Sequence, residues 1–275
     1  MTAEAFPPVP AYGVVEHLPA VDGISEHFAN LLVNGYTVLD SGFSDAFLDR
    51  IREKMDLIYG TQVADLGGAN NMAQIFDTDI ARCLLSYDAD FIDVACATAL
   101  REVCERYLGP EFVLMQQNGV TNRPERENYQ KKWHRDLSYQ HWTSTRPIAM
   151  NALLCVDEFT CVNGATHVLP ATHHIPPLPT PGFVARNELQ IPAPRGAFIV
   201  MDAMVFHRAG WNQSSSPRRG INHLIGLPFL AQQIDVPSAI ARKGAMVPQD
   251  PWIRKYLGYR WAPALDADDW RRRRL

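Results

Sequence analysis

The chain has 275 residues, 47% of them hydrophobic and 20% charged, with a net charge of −4 and a pI near 6.1. That length supplies a sizeable core in one large domain or two small ones, and the mildly acidic balance excludes a global positive field for nucleic acid or anionic lipid. No stretch approaches the ~20 apolar residues of a membrane span, and five cysteines with no Cys-x-x-Cys pair exclude a disulfide framework or a zinc knuckle.

The first twenty residues hold Pro7, Pro8, Pro10 and Pro19, with neither a basic start nor an apolar run. That pattern predicts an extended lead-in rather than a signal peptide. With core thiols in a reducing compartment, the expected location is the cytoplasm. From Ile24 to Val33, Phe28, Leu31 and Leu32 share one face of a predicted helix, which Gly35 stops. Tyr36 to Leu39 then reads as a short strand. Ser44 is placed to cap an amphipathic helix of about four turns carrying Phe47, Leu48, Ile51, Met55 and Ile58. Gly67 and Gly68 mark a loop. A further helix is predicted from Asp90 to Leu108, ended by Gly109-Pro110.

From residue 111 the texture changes to short apolar runs separated by Pro, Gly, Asn and Asp: Phe112 to Gln116, Ile148 to Val156, Ala165 to Leu169, Gly196 to Met201 and Gly220 to Leu230. These read as strands of a sandwich or barrel. Pro176 to Pro194 holds six prolines and is expected to be a surface excursion. Helices first and strands after give an α+β class, a β-barrel or jelly roll buttressed by N-terminal helices. With no internal repeat and no clean linker, one domain is expected over residues 1–275. Residues 1–110 form the helical support, 111–230 the barrel core and 231–275 a C-terminal extension, with Arg271 to Arg274 as a solvated tail.

The most informative segment is Lys132-Trp133-His134-Arg135-Asp136-Leu137. On a strand, residues i and i+2 face the same way, so an imidazole and a carboxylate project together. They supply two thirds of a facial triad suited to Fe(II). Alone the pair is a weak signal, although His134 is the only histidine with an acidic residue two places on. A triad needs a distant second histidine, and His207, after the apolar run Gly196 to Phe206, is the candidate. Taken by itself it is equally a core or surface histidine. Beyond it come Asn212 to Pro217, then Arg218-Arg219 and a strand. A guanidinium entering a barrel is costly unless it meets an anion, so an inward arginine there implies a carboxylate ligand. Gln117 or Asn118 is a candidate for the pocket wall, or equally part of a capped turn beside Gly119. His141 and Trp142, after the metal pair, are candidates for substrate contact or for packing. Asp157-Glu158 reads as a solvated strand end, and Ser214-Ser215-Ser216, without a partner base, as a turn.

In this order the residues resemble the phytanoyl-CoA dioxygenase (PhyH-like) family of iron(II)/2-oxoglutarate oxygenases. Asn34 to Leu39 resembles the family's opening strand, and His134-x-Asp136 its metal pair. Asn163-Gly164 through Pro170-Ala171-Thr172-His173 resembles its "NG…PGSH" turn, with Ala171 where Gly is usual. His207 resembles its distal ligand, and Arg218, eleven residues later, its co-substrate arginine. Arg219, its strand neighbour, should face outward.

The resemblance implies a double-stranded β-helix with Fe(II) held by His134, Asp136 and His207. It implies 2-oxoglutarate gripped by Arg218, with Gln74 and Asn151 as further co-substrate contacts, and O2 as oxidant. The implied reaction couples decarboxylation of 2-oxoglutarate to succinate with oxidation of a small molecule, by hydroxylation, desaturation, ketone formation or cyclisation. Asp136 argues against halogenation, which in similar enzymes needs the carboxylate replaced. His173 and His174 are implied to be structural. No inward Lys or Arg run suggests a coenzyme A thioester, so a natural-product intermediate, amino acid or sugar derivative is the expected substrate, with no nucleic-acid or membrane partner. Two alternatives stay open: a cupin-type hydrolase or isomerase on the same ligands, and a non-catalytic binding module on the same fold.

Overall fold

In a computed structural model, residues 9–16, 18, 23–126, 129–137 and 142–275 are described. The apolar runs of the second half become the centre of a six-stranded antiparallel sheet. Its strands are β1 (Tyr36–Asp40), β2 (Ile80–Arg82), β3 (Val113–Asn122), β4 (Ala149–Cys155), β7 (Ala197–Asp202) and β9 (Arg218–Gly226), in the order β1-β7-β4-β9-β3-β2. A smaller sheet, β6-β5-β8, is made of β5 (Thr166–Leu169), β6 (Leu189–Ile191) and β8 (Phe206–Arg208).

The central strands are buried on both faces, which is why they read as nearly unbroken apolar runs rather than as an alternation. In β7, Phe198 and Val200 face one way into a cluster with the helices, while Ala197, Ile199 and Met201 face the small sheet and pack near Val168 and Ile191. Two facing sheets of this kind form the jelly roll, a double-stranded β-helix.

The outer face of the large sheet is covered by helices α1 (Gly23–Asn34), α2 (Asp45–Asp65), α4 (Asp90–Ala95) and α5 (Thr98–Leu108). Ser44 caps α2 by accepting from the Phe47 backbone N–H, and Leu48, Ile51, Met55 and Ile58 are its buried stripe. The close approach of α2 to β3 depends on Gly119, where a Cβ would lie 2.9 Å from the Met55 side chain. A short α3 (Ala69–Gln74) follows the Gly67-Gly68 loop. Helix α6 (Pro181–Asn187) precedes β6, and α7 (Val236–Lys243), α8 (Pro251–Tyr256) and α9 (Ala267–Arg272) make up the C-terminal segment.

Several expectations are corrected. The helix expected from Asp90 to Leu108 is two helices. On one continuous helix, Phe91, Ile92, Val94 and Ala95 would face roughly opposite to Leu100, Val103, Cys104 and Tyr107 at about 100° per residue. The extended Ala97 (ψ 129°) turns the second set back to the same core. The strand expected to end at Gln116 runs on to Asn122, because Gln117 and Asn122 find buried hydrogen-bond partners. The last strand stops at Gly226 rather than Leu230. The proline-rich excursion carries β6 and so completes the small sheet. Asp157 is not a solvated end: Arg219 reaches both it and Asp56, tying β9 to α2.

Candidate metal centre

His134 and Asp136 do not sit on a regular strand, as their spacing had predicted. His134 forms a single antiparallel bridge with His207, each backbone N–H donating to the other's carbonyl at 3.0 and 3.1 Å. The chain then turns, and the Asp136 N–H donates to the Ala203 carbonyl. The alternation expected of a strand survives locally, because the bridge holds this stretch extended. Sequence-distant β8 thereby delivers His207 beside the pair.

One ligand atom from each of His134, Asp136 and His207 lies within 4.8 Å of the others. Both imidazoles are aimed by their other nitrogen. The Nδ1 of His134 donates to the Lys132 carbonyl at 2.8 Å and that of His207 to the Val205 carbonyl at 3.1 Å. These acceptors fix the tautomer in which Nε2 offers its lone pair to the shared space. Burial, with the neighbouring His207 adding to it, drives the His134 imidazole down to about 4, keeping it neutral as a ligand must be. The Asp136 carboxylate is held through Oδ2 by the Asn151 amide at 2.6 Å. Two imidazole nitrogens and one carboxylate on one side of an open space are a donor set suited to non-haem Fe(II).

The triad opens on a cavity of about 320 Å³ inside the barrel, whose walls include Arg218, Asn151, Gln116, Asn118, Asn222 and Arg82. Arg218 is fully buried, with its guanidinium 3.8 Å over the Phe159 ring. Its Nε has no hydrogen-bond partner among the described residues. Burial pulls it down to about 10. Asp157 acts on it only at longer range, being engaged by Arg219. An anion entering the cavity would offset the cost of burying this cation. The buried Oδ1 atoms of Asn151 and Asn222 likewise have no partner among the described residues.

The motif between the sheets is built from close backbone contacts. Gly164 (φ +82°) packs so tightly that a Cβ would lie 2.5 Å from the Gly210 carbonyl oxygen. Asn122 reaches the same carbonyl, and the wholly buried Asn212 links Asn122 to Ser214 and Ser216. Ala171, in the position where the resembled turn has glycine, adopts φ +61°. His173 and His174 both lie against the Leu32 carbonyl, outside the triad.

Not every candidate from the sequence reaches the cavity. Gln74 lies at the exposed end of α3 and is not among the cavity's walls. Gln117 faces away from it: its amide donates to the Phe91 carbonyl and accepts from Leu85, on the helical side of β3. Strand parity is the reason, since Gln116 and Asn118 take the inward face. Trp142 is 57% exposed and outside the cavity walls, and His141 lies outside the described residues. Among the wall residues missed from sequence, with Arg82, Gln116 and Gln130, is Asn222. It was accessible by parity, because Arg218, Gly220 and Asn222 share one face of β9.

Residues 31–220 match the family model described as phytanoyl-CoA dioxygenase (PhyH). The uncharacterized protein Rv1501 of Mycobacterium tuberculosis is 27% identical over 232 residues, covering 82% of this chain and 83% of that protein. Among solved structures, EvdMO1 aligns with a TM-score of 0.58 at 19% identity, over 74% of this chain and 50% of EvdMO1. This chain thus spans about half the length of EvdMO1. The non-heme alpha ketoglutarate dependent epimerase SnoN from nogalamycin biosynthesis aligns with a TM-score of 0.55 at 14% identity, over 74% of this chain and 81% of SnoN. At such identities the structural likeness is one of fold.

Proposed function

The chain belongs to the phytanoyl-CoA dioxygenase (PhyH) family, and from that premise we propose that it is an Fe(II)- and 2-oxoglutarate-dependent oxygenase acting on a compact, polar small molecule. The observation that carries this reading is a pairing. Three ligand atoms converge within 4.8 Å, and a buried arginine whose Nε has no partner among the described residues lines the same cavity. A metal-dependent hydrolase or isomerase would use the first and have no need of the second.

His134, Asp136 and His207 would hold the iron, and Arg218 the distal carboxylate of 2-oxoglutarate. When bound, these groups and O2 supply the oxidising power, with 2-oxoglutarate leaving as succinate and CO2. The protein's residues position and shield. The Lys132 and Val205 carbonyls keep both imidazoles in the ligating tautomer. Asn151 fixes the Asp136 carboxylate through Oδ2, the oxygen that lies 3.8 Å from the His207 Nε2. An Arg218–carboxylate contact is worth roughly 1.5–3 kcal/mol and sets which end of the keto acid faces the triad.

Wall chemistry supports the substrate class. Gln116, Asn118, Asn222 and Gln130 offer amides, Asp136 is the only carboxylate among the cavity's described walls, and no Phe, Tyr or Trp is among them. Such a surface suits hydroxyl- or amide-bearing molecules of neutral or negative charge, in keeping with an amino-acid, sugar-like or natural-product intermediate. A greasy acyl chain would leave those amides unpaired. SnoN's description as an epimerase adds stereochemical inversion to hydroxylation, desaturation, ketone formation and cyclisation as outcomes to monitor.

The test is to load the purified protein anaerobically with Fe(II) and add 2-oxoglutarate. A visible absorption band that depends on both, followed by succinate on admitting O2, is expected. Metal uptake with no response to 2-oxoglutarate would instead place the protein with the hydrolases or isomerases.

A further inference from the structure

Arg135 stands between two of the metal ligands and points the other way. It is 7% exposed, yet its guanidinium is satisfied without a direct carboxylate partner. Nε donates to the Met204 carbonyl at 2.7 Å, one terminal nitrogen to the Pro176 carbonyl at 2.8 Å, and the other to the carbonyls of Thr172 (3.0 Å) and Ile175. The cation also lies 3.9 Å over the Phe206 ring. Met204 and Phe206 belong to the stretch that delivers His207, whereas Thr172 to Pro176 belong to the turn after β5. One side chain therefore joins three segments that have no sequence proximity.

Backbone bonds tie His134 to His207 and Asp136 to Ala203, but all of them lie along a single line of contact. Asn151 holds the Asp136 carboxylate from the cavity side, so the contacts on the other side of the segment come from Arg135. The Arg135 fork anchors that side of the segment to Met204 and to the turn after β5, and removing it leaves the side without a hydrogen-bonded tether. Lysine could not replace it, since a single ammonium does not span four carbonyls held in different directions.

We propose that Arg135 is a positioning residue that sets metal affinity by holding the His134–Asp136 pair in register with His207. The inference rests on the reading of the triad as a metal site.

The experiment titrates Co(II), a spectroscopic stand-in for Fe(II), into wild-type protein, Arg135→Met, Arg135→Lys and, as a control of general destabilisation, Ile240→Ala in the distant helical core. Thermal unfolding is measured for each without metal. Loss of partners outside the ligand set typically weakens metal binding about 10–100-fold. Arg135→Met is expected to bind Co(II) in that weakened range with an altered visible spectrum, Arg135→Lys to fall between it and wild type, and Ile240→Ala to keep wild-type affinity and spectrum. If Arg135→Met does not fold, Arg135→Lys decides. A folded Arg135 variant with wild-type affinity and spectrum overturns the proposal, as does an Ile240→Ala variant that loses affinity equally. Wild-type protein that takes up no Co(II) or Fe(II) overturns the metal reading itself, and this inference with it.

Discussion

His223 and Arg218 lie on the same strand, β9, and both are fully buried, but they face opposite ways and are treated oppositely. On the helical face, the His223 Nδ1 donates to the Ala152 carbonyl and its Nε2 accepts from the Gln117 amide at 3.0 Å. Gln117 spends its remaining capacity on Leu85 and Phe91. On the cavity face, Arg218 keeps an unpartnered Nε, and Asn151 and Asn222 each keep an oxygen without a partner among the described residues. Buried polarity that closes on itself holds the sheet to its helices. Buried polarity left open points to something that enters the barrel.

The largest effect should come from the cavity face. His207→Ala or Asp136→Ala is expected to weaken Fe(II) binding by more than the ~100-fold typical of outer partners, with 2-oxoglutarate turnover lost and the fold retained by circular dichroism. A variant that still turned over 2-oxoglutarate would break the assignment of the open face to metal.

Arg218→Met should lower 2-oxoglutarate affinity about 10–100-fold, in line with a lost bidentate contact, while Fe(II) affinity stays within about twofold. Because an uncompensated cation leaves the core, its melting temperature without ligands should equal or exceed that of wild type. A clear drop would show that the cavity face is closed on itself as the helical face is.

The helical face predicts the reverse signature. Gln117→Leu strands the Leu85 N–H, the Phe91 carbonyl and the His223 Nε2, at a cost of about 2–3 kcal/mol in denaturant unfolding. Turnover per folded molecule should be unchanged. Lost turnover at full stability would put Gln117 back in the site.

Acid sharpens the same contrast. Burial holds the His223 imidazole down to about 4, against about 6.5 in the unfolded chain. The unfolded state therefore binds the proton first, and this contribution is complete above about pH 6.5 and lost as pH falls towards 4. At pH 5 the loss is about 2 kcal/mol. Urea unfolding at pH 7.5 and 5 should show it, reduced in His223→Gln. An equal pH dependence in both proteins would remove His223 as its source.

Much of the candidate site was legible through the family resemblance. His134-x-Asp136, His207 and the arginine eleven residues on match the family's motif order, and the structure brings all four residues to one cavity. Ser44 and the apolar stripe of α2 were legible because capping and helical periodicity act over a few residues. Gln117 and Gln74 were misplaced because a polar residue near a motif carries no mark of which face it takes, and the parity of β3 is set by its pairing with β9. For Arg135, strand alternation says only that it faces away from His134 and Asp136, and nothing local says that four carbonyls from two other segments await it.

The amino-acid order alone determined the class of fold, since periodicity and capping act within a few residues, and its resemblance to a known family singled out the candidate triad. Which polar side chains meet inside the barrel was decided by tertiary structure. Strand register, the break at Ala97 and the bridge between residues 134 and 207 all depend on partners far away in the chain. A buried polar group gains or loses several kcal/mol according to what those partners offer it.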